Sequence, residues 1–548
     1  MVEVPAWHGS GTVRVYRHAV ALPTLIREME AANGDSPLTV GQGEEHTYAE
    51  LGTRAHRLAR GLAQQLAVGP GDHIGIVMAN RADYIVALFA AVQLGAVAVL
   101  INSRGSVAEI RDAFDEVPCR VVLADGPRAT ILLEAGVNTQ IVGAGSDPIP
   151  PGVTAIDTLL ADSGQDLAPP AIDLDDPCLV LFTSGTSGRA KGVALSHRSV
   201  ATVLFNMRLV ADINIAVAAN KYGIPVDDLR PLVPKMSALL IFPMFHVSGL
   251  AAFFVTLMNG GMVATMTRWS PTVAADLISD NGLTVMAGPP FVVDELLSLP
   301  DAAEKLSSVV NIAAGGQATP PEVSGKVATA LPTAQRAAGW GMTEVGGSVS
   351  IASGDLLVEH PTATGPMSPT MDVRVTEDGV ELPPGLPGEL EIRGGQMMLG
   401  YIGRPEETAA TIVDGWLRTG DIGMVDEHGM VHIVDRKKDI VIRAGENISC
   451  LEVEGAVSVS GLFTDVAAFG IPDARLGEAV VVAVTPRPGV TATAESVIAI
   501  ARETLPEYKL PAVVIVRSEP MPRTATGKLL KRIVRTEFLA ESASGEDS

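Results

Sequence analysis

Apolar and polar residues alternate with two different periods along most of the chain. Runs of β-branched and other apolar residues predict strands at 73–78 and 97–101, and the amphipathic segment at 82–94 predicts a helix between them. Further along, the pattern predicts a helix at 271–280 and a strand at 283–286. Because strands and helices follow each other in turn, the fold class expected is α/β with largely parallel sheets.

The pattern changes near residue 372, where the predicted strands become shorter and are separated by turns rich in Gly, Pro and Asp. These strands are predicted at 373–376, 388–393, 423–425 and 431–434. Before them, residues 208–237 read as a long connection, either a lid or a plain surface elaboration.

A smaller α+β unit is predicted to follow from about residue 436. Its strands are expected at 466–470 and 479–485, and its helices at 494–505 and 529–539. A chain of 548 residues exceeds the size at which one hydrophobic core stops growing. We therefore expect a large N-terminal domain of βα sheets with a small β unit at 1–435 and a C-terminal α+β domain at 436–548.

Membrane insertion and secretion are disfavoured by two local features. The most membrane-like stretch, 84–101, contains Gln93 and Gly95 and divides into a helix and a strand, so a buried βα unit is the better interpretation. The N-terminus carries Glu3, Pro5 and His8 and lacks the apolar core of a secretory signal. We expect no transmembrane segment and a cytoplasmic location.

Charge and cysteine content narrow the function further. The formal net charge is −23, which argues against a nucleic-acid partner because phosphate contacts need clustered Lys and Arg. The three cysteines, Cys119, Cys178 and Cys450, lie far apart and match no metal-ligand spacing. Buried structural thiols in a reducing compartment are the expected interpretation.

The strongest local signal is the sequence LFTSGTSGRAKGV at 181–193. An apolar strand leads into glycines and hydroxyl residues, whose amides and hydroxyls can surround an anion, and Lys191 supplies the counter-charge. The segment does not fit the Walker A pattern, because Ala190 stands where the second glycine belongs. A phosphate-binding loop is predicted, with an ordinary Gly/Ser turn as the alternative.

This loop resembles the signature of the adenylate-forming superfamily, which includes acyl- and aryl-CoA synthetases, adenylation domains of peptide synthetases and firefly-type luciferases. Six further segments resemble that family in its own order: FPMFHVSG at 242–249, GWGMTE at 339–344, GELEIRG at 388–394, GWLRTGD at 415–421, the stretch 435–454, and PRTATGK at 522–528. The resemblance implies the family's fold over nearly the whole chain, with a mobile C-terminal domain.

The resemblance implies ATP and Mg²⁺ as cofactors and coenzyme A as co-substrate. Glu344 and Thr183 would hold Mg²⁺, whose usual ligands are carboxylates, waters and phosphates; a helix-start carboxylate is the alternative for Glu344. Asp421 would take the ribose hydroxyls with help from Arg436. Lys191 is implied to be catalytic, and further nucleotide contacts are implied for Ser184, Gly185, Thr186, Ser187, Gly188, Gly315, Gly316, Gln317, Gly339, Trp340, Gly341, Met342 and Thr343.

The remaining implied roles concern catalysis and domain motion. Lys528 would meet the charge that develops on the α-phosphate. His246 falls at the family's gate beside the acyl pocket, with a satisfied core histidine as the alternative. Lys438 falls at the hinge, and Gly445 lies in the segment that faces the thiol in the second half-reaction. Three residues depart from the family pattern: Asp435, Cys450 and Gln317.

The implied reaction joins a carboxylic acid to ATP, releases pyrophosphate, and then transfers the acyl group from acyl-AMP to CoA. The apolar residues around the gate favour a hydrophobic acid, with a fatty acid first and an aryl or ring-bearing acid as a close alternative: Phe245, Val247, Leu250, Phe253 and Phe254. A carrier-protein acceptor and a silent nucleotide- or lipid-binding regulator stay open, as does a homodimer.

Overall fold

The structure, a computed structural model, describes residues 1–9, 11–41, 43–161, 167–183, 190–314, 321–444, 446–473, 475–524 and 527–545. In these ranges the strands form five sheets. Two sheets have eight strands each, a third has seven, and the C-terminal sheet has five; a short antiparallel pair, Val2–Pro5 and Thr12–Val15, precedes them. The predicted α/β class with a separate C-terminal sheet is confirmed.

The first eight-stranded sheet has a parallel centre and an antiparallel edge. In spatial order its strands are Gly400–Tyr401, Lys191–Ser196, Pro177–Thr183, Val97–Leu100, His73–Val77, Val121–Asp125, Gln140–Ala144 and Thr154–Ala155. The central strands carry continuous buried apolar runs, as parallel strands covered on both faces require.

The second eight-stranded sheet is also parallel at its centre and antiparallel at both ends. Its strands, in spatial order, are Gly347–Ser353, Gln335–Met342, Asn311–Ala314, Val285–Gly288, Ala238–Leu240, Val263–Ala264, Pro37–Gly41 and Glu44–Thr47. One hydrophobic cluster joins side chains of both sheets, such as Ile74 and Leu240, so the two sheets share a core.

The seven-stranded sheet is antiparallel throughout and contains the β unit predicted after residue 372. Its strands are Gly365–Pro366, Met430–Arg436, Trp416–Val425, Gly388–Gly394, Met371–Glu377 and Val380–Glu381, with Ile412–Val413 paired to Trp416–Val425. The predicted strand at 423–425 is the end of a longer strand, Trp416–Val425.

The C-terminal sheet consists of Glu446–Ser449, Ile440–Arg443, Gly477–Pro486 and Phe463–Asp473, with Val513–Val516 added parallel to Gly477–Pro486. It has its own hydrophobic cluster, which includes Val453, Val482 and Val497. The short 3₁₀ helix Lys437–Asp439 connects it to the preceding sheet. The domain boundary at 435/436 stays a prediction.

Helices cover the sheets and connect their strands. The α-helices are Leu22–Asn33, Tyr48–Leu66, Ala82–Gln93, Val107–Glu116, Gly126–Glu134, Ile156–Leu160, His197–Tyr222, Val226–Leu229, Val247–Met258, Pro271–Asn281, Pro290–Leu297, Ala302–Lys305, Pro321–Ala330, Asp355–Glu359, Pro405–Thr411, Cys450–Ser458, Ala494–Arg502 and Lys531–Gly545. Besides Lys437–Asp439, the 3₁₀ helices are Arg230–Leu232, Thr343–Val345 and Glu507–Lys509. Sequence signals explain several helix starts, such as the capping box of Thr47 and Glu50.

The expectation of a connection at 208–237 was wrong for its first half. Helix His197–Tyr222 runs through it and ends at Gly223, whose φ of 65° suits a glycine C-cap. The helix is buried at its start, but Ile213 and Val217 are exposed. Ala219 is the buried apolar residue of the second half, and the others are half-buried or exposed, so the amphipathic pattern of a surface helix is weak there.

The described helix that is long and apolar enough to cross a membrane is not in the stretch 84–101 considered from the sequence. The stretch 84–101 divides as predicted, into helix Ala82–Gln93 and strand Val97–Leu100. By length and composition the one described helix that could cross a membrane is His197–Tyr222, and buried core helices pass the same test. The three cysteine side chains are all buried, as expected for structural thiols.

Candidate active site

Four adjacent parallel strands of the second eight-stranded sheet end at the same edge. They end at Leu240, Gly288, Ala314 and Met342. The segments that follow these strands therefore meet at one edge, although they lie up to about a hundred residues apart in sequence. Open α/β sheets bind ligands at such a carboxyl edge. His246 and Glu344 both follow strands that end there.

Glu344 is held by a tyrosine from the other sheet. Its buried carboxylate Oε1 accepts a hydrogen bond from the Tyr401 hydroxyl at 2.8 Å, and its backbone oxygen accepts one from the Met398 amide at 2.8 Å. Burial, and then the negative charge of Glu344, raise the pKa of Tyr401. The tyrosine therefore stays a neutral donor, and the carboxylate is fixed in one orientation.

Lys191, near the end of the predicted phosphate loop, packs against the ring of the same tyrosine, Tyr401. Its ammonium group is 4.9 Å from the centre of the Tyr401 ring and pairs with Glu407. Glu407 also accepts from the Arg404 guanidinium at 2.5 Å, and the hydrogen bonds from Lys191 and Arg404 lower the pKa of Glu407. Lys191 therefore has a counter-ion within the protein, Glu407.

Thr183 ends strand Pro177–Thr183, directly opposite Lys191 in the antiparallel pair. The 3₁₀ helix Thr343–Val345, which carries Glu344, packs against that strand. The Thr183 hydroxyl and the Glu344 carboxylate therefore belong to two elements that are in contact. Oxygen donors of this kind fit Mg²⁺, which prefers oxygen ligands and keeps several waters.

Asp421 lies between Trp340 and Arg436. The residue is 4% exposed; one carboxylate oxygen accepts from the Trp340 indole nitrogen at 2.8 Å, and the other pairs with Arg436 Nε at 2.8 Å. Asp421 and Arg436 are also directly opposite each other in strands Trp416–Val425 and Met430–Arg436. The two contacts hold the buried carboxylate in one orientation, which a ribose-binding acid requires.

The strand before Glu344 approaches its neighbour closely. A side chain on Gly341 would place its Cβ 1.9 Å from the Gly347 carbonyl oxygen, so only glycine fits there. Gly339, Trp340 and Met342 lie on the same strand, and Thr343 opens the following 3₁₀ helix. The predicted nucleotide residues at 339–343 therefore form one continuous strip ending at Glu344.

Lys528 reaches this edge from the C-terminal domain. Its side chain keeps contact with solvent, yet protein atoms crowd the ammonium group; this burial and the charges of Arg436 and Lys438 lower the pKa of Lys528 to about 8. Burial, and then the charge of Lys528, lower the pKa of His246 to about 4. Lys528, Arg436 and His246 thus lie close enough together to influence one another's charge.

His246 also begins a helix. Its Nδ1 accepts a hydrogen bond from the Ser248 amide at 3.3 Å, as the N-cap of helix Val247–Met258. With a pKa of about 4, the ring is neutral at physiological pH. A neutral ring at the N-terminus of an apolar helix is better suited to orient a substrate acid than to form an ion pair with it. That role stays a prediction.

Several predicted residues lie outside the described part of the chain: Ser184, Gly185, Thr186, Ser187, Gly188, Gly315, Gly316, Gln317 and Gly445. Their roles stay predictions. Lys438 lies in the 3₁₀ helix between two sheets, the position expected of a hinge. Asp435, which departs from the family pattern, has a structural role, because its carboxylate accepts from Ser449 Oγ at 2.7 Å and from the Leu451 amide at 3.0 Å.

Tyr401 and Glu407 are site residues that sequence reasoning missed. Tyr401 follows a glycine in a two-residue strand, and Glu407 lies on the short helix Pro405–Thr411. Neither position has an unusual local pattern. The signal that could have found them is their place just after the matched segment GELEIRG at 388–394.

Comparisons with known proteins agree with this arrangement. A family profile described as AMP-binding enzyme matches residues 26–402, and one described as AMP-binding enzyme C-terminal domain matches 452–528. A feruloyl-CoA synthase of Amycolatopsis sp is 32% identical over 90% of this chain and 94% of its own length. The long-chain-fatty-acid–CoA ligase FadD13 of Mycobacterium tuberculosis is 30% identical over 90% of this chain and 93% of its own.

A solved structure extends the similarity to the fold. The ATP-bound crystal structure of MatB from Rhodopseudomonas palustris superposes with a TM-score of 0.79 at 26% identity, over 94% of this chain and 99% of that one.

Proposed function

Because the chain belongs to the family of AMP-binding enzymes and is an AMP-forming acid–CoA ligase, we propose that its substrate is a hydrophobic carboxylic acid, with a fatty acid first. ATP and CoA are its co-substrates. The observation that carries the residue assignment is that Glu344, Asp421 with Arg436, and Lys528 converge at one sheet edge.

In the first half-reaction, a carboxylate oxygen of the acid attacks the α-phosphorus of ATP, the bond to the β-phosphate oxygen breaks, and pyrophosphate leaves. Asp421 accepts hydrogen bonds from the ribose hydroxyls, while Arg436 holds the carboxylate group of Asp421 in place. Lys528 donates to the α-phosphate oxygens, where negative charge develops. A Mg²⁺ ion held by Glu344 and Thr183 would neutralise phosphate charge.

In the second half-reaction, the CoA thiolate attacks the acyl carbonyl carbon and AMP leaves as the acyl–phosphate bond breaks. We assign the hinge to Lys438 and the contact with the thiol to the segment around Gly445. A rotation at Lys438 would move the domain at 436–548 against the domain at 1–435, with few residues absorbing the dihedral change.

Two features support a hydrophobic acid. One relative is named for an aromatic acid and another for long-chain fatty acids, so both acid types of the proposal occur among similar enzymes. The side chains predicted near the gate are all buried and apolar: Phe245, Val247, Leu250, Phe253 and Phe254. These side chains belong to the hydrophobic core shared by the two eight-stranded sheets, and an acyl pocket that opened among them would favour an acyl chain or ring over short polar acids.

The test is AMP release with a panel of fatty, aryl and ring-bearing acids, with and without CoA. Repeated turnover with CoA and one apolar class identifies the substrate. Acyl-AMP that forms without response to CoA would instead indicate a carrier-protein acceptor. Turnover confined to short polar acids would refute the assignment of a hydrophobic substrate. If no acid in the panel supports exchange of pyrophosphate into ATP, the result would favour the silent regulator.

The lowered pKa of Lys528 predicts an alkaline loss of activity. The ammonium form, which the first half-reaction needs, dominates below pH 8 and disappears as pH rises through about 8. We expect kcat/KM for ATP, which reports the free enzyme, to fall tenfold per pH unit above that value. In Lys528→Arg the guanidinium stays charged, so the alkaline fall should vanish. A wild-type profile that is flat to pH 10 would contradict this.

Tyr401→Phe should weaken the response to magnesium. The change keeps the ring under Lys191 and removes the hydroxyl that holds Glu344 at 2.8 Å. Loss of a partner that orients a metal ligand should raise the Mg²⁺ concentration for half-maximal adenylation by about tenfold. The thermal unfolding midpoint serves as the folding control. If the dependence of adenylation on Mg²⁺ concentration is unchanged, Tyr401 does not orient a metal ligand.

A further inference from the structure

One N-terminal helix contacts the turn that carries Lys528. Helix Pro290–Leu297 begins at the carboxyl edge described above, after strand Val285–Gly288. The centre of the Phe291 ring is 5.6 Å from the Arg523 guanidinium carbon. The ring also packs on Gly527, because a Cβ placed there would lie 2.7 Å from Phe291 Cε1. Phe291 thus contacts the residue immediately before Lys528.

The turn itself is well connected to its own domain. Arg523 donates to the Gly527 carbonyl oxygen at 2.6 Å and pairs with Asp465. The Lys528 amide donates to Thr524 Oγ1 at 3.1 Å, and the Thr524 amide donates to the Lys528 carbonyl oxygen at 2.8 Å. These contacts tie Lys528 to its own domain, so the position of Lys528 depends on what that domain rests against.

The same helix provides a second contact with the C-terminal domain. Asp294, one turn after Phe291, is 3.7 Å from Arg487, and it also accepts from Lys326 at 2.5 Å. Arg487 follows strand Gly477–Pro486 of the C-terminal sheet. Helix Pro290–Leu297 therefore meets the C-terminal domain at two separate points.

We propose that Phe291 is a positioning residue for the first half-reaction: its ring is the surface on which the Lys528 turn rests when Lys528 faces the α-phosphate. This inference rests on the proposed function for the role of Lys528. The ring fits Gly527, whose φ of 85° and missing side chain let the turn approach closely, and it meets Arg523 through a cation–π contact. Transfer to CoA does not need this contact.

Two variants separate positioning from packing, because Phe291 also contacts the core of its own domain. Phe291→Ala removes the ring; Phe291→Tyr keeps it. Two half-reactions are measured for each: acid-dependent exchange of pyrophosphate into ATP, and release of AMP from purified acyl-AMP by CoA. Phe291→Ala should slow exchange by about tenfold with KM for ATP unchanged, since a small displacement of a catalytic group is costly.

Phe291→Tyr should restore exchange, and CoA-dependent AMP release should stay near wild type in both variants. Equal losses in both half-reactions, or exchange at the wild-type rate in Phe291→Ala, would overturn the proposal.

A docking measurement makes the inference independent of the reaction. In a parent protein with Asp294→Cys and Arg487→Cys, a short bismaleimide should cross-link the two domains selectively, because Cys119, Cys178 and Cys450 are buried. Adding Phe291→Ala should lower the yield, and adding Phe291→Tyr should not. An unchanged yield with Phe291→Ala refutes the docking role even if the enzyme is active. A wild type without exchange refutes the proposed function alone.

Discussion

Lys528→Ala is expected to lower the rate of adenylation by about 100- to 1,000-fold, the usual cost of removing a group that stabilises developing charge. The structure brings its ammonium group to Arg436 and His246, where the α-phosphate is proposed to lie. The methyl side chain of alanine carries no ammonium group, so the charge that develops on the α-phosphate is left to the solvent. Exchange of pyrophosphate into ATP measures this step alone, because it requires no CoA.

The same variant should release AMP from purified acyl-AMP and CoA at nearly the wild-type rate. Lys221→Ala is a suitable control, since Lys221 forms an exposed ion pair with Asp355 and neither residue belongs to the proposed site. Full exchange activity in Lys528→Ala would show that the turn plays no part in the chemistry. Loss of both half-reactions together with a lower unfolding midpoint would indicate a structural role instead.

Asp421→Asn is expected to lower kcat/KM for ATP by about 30- to 100-fold, the free energy of one or two charged hydrogen bonds. The amide keeps the size of the side chain but loses the charge that pairs with Arg436 at 2.8 Å. Its NH₂ group must also face the donor of either Trp340 or Arg436. Steady-state kinetics with ATP as the varied substrate measures the loss.

The ribose contact can be isolated with 2′-deoxy-ATP. Wild type should prefer ATP over the deoxy nucleotide, and Asp421→Asn should lose most of that preference, because the missing hydroxyl and the missing charge belong to one interaction. Asp426→Asn is the matched control: it lies in the turn between the same two strands, where Asn is tolerated. An undiminished preference for ATP in Asp421→Asn would separate this carboxylate from the ribose.

Much of the fold follows from local patterns. The strand His73–Val77, helix Ala82–Gln93 and strand Val97–Leu100 lie within a residue of prediction, because their apolar residues are buried in the elements where the pattern placed them. Helix His197–Tyr222 was not predicted, and its second half was read as a connection, where Ile213 and Val217 are exposed. Periodicity detects a continuous buried face and fails where few apolar residues of a helical segment are buried.

The sequence by itself indicated the family and the reaction type: Glu344, Asp421, Arg436 and Lys528 stand in motifs that resemble those of adenylate-forming enzymes in residue type and order. Only the tertiary structure decided how these residues are supported. Tyr401 on Glu344, Glu407 on Lys191 and Phe291 under the Lys528 turn each join elements far apart in the chain. Such pairs depend on strand order, register and domain docking, which are set by contacts over the whole fold and leave no pattern in neighbouring residues.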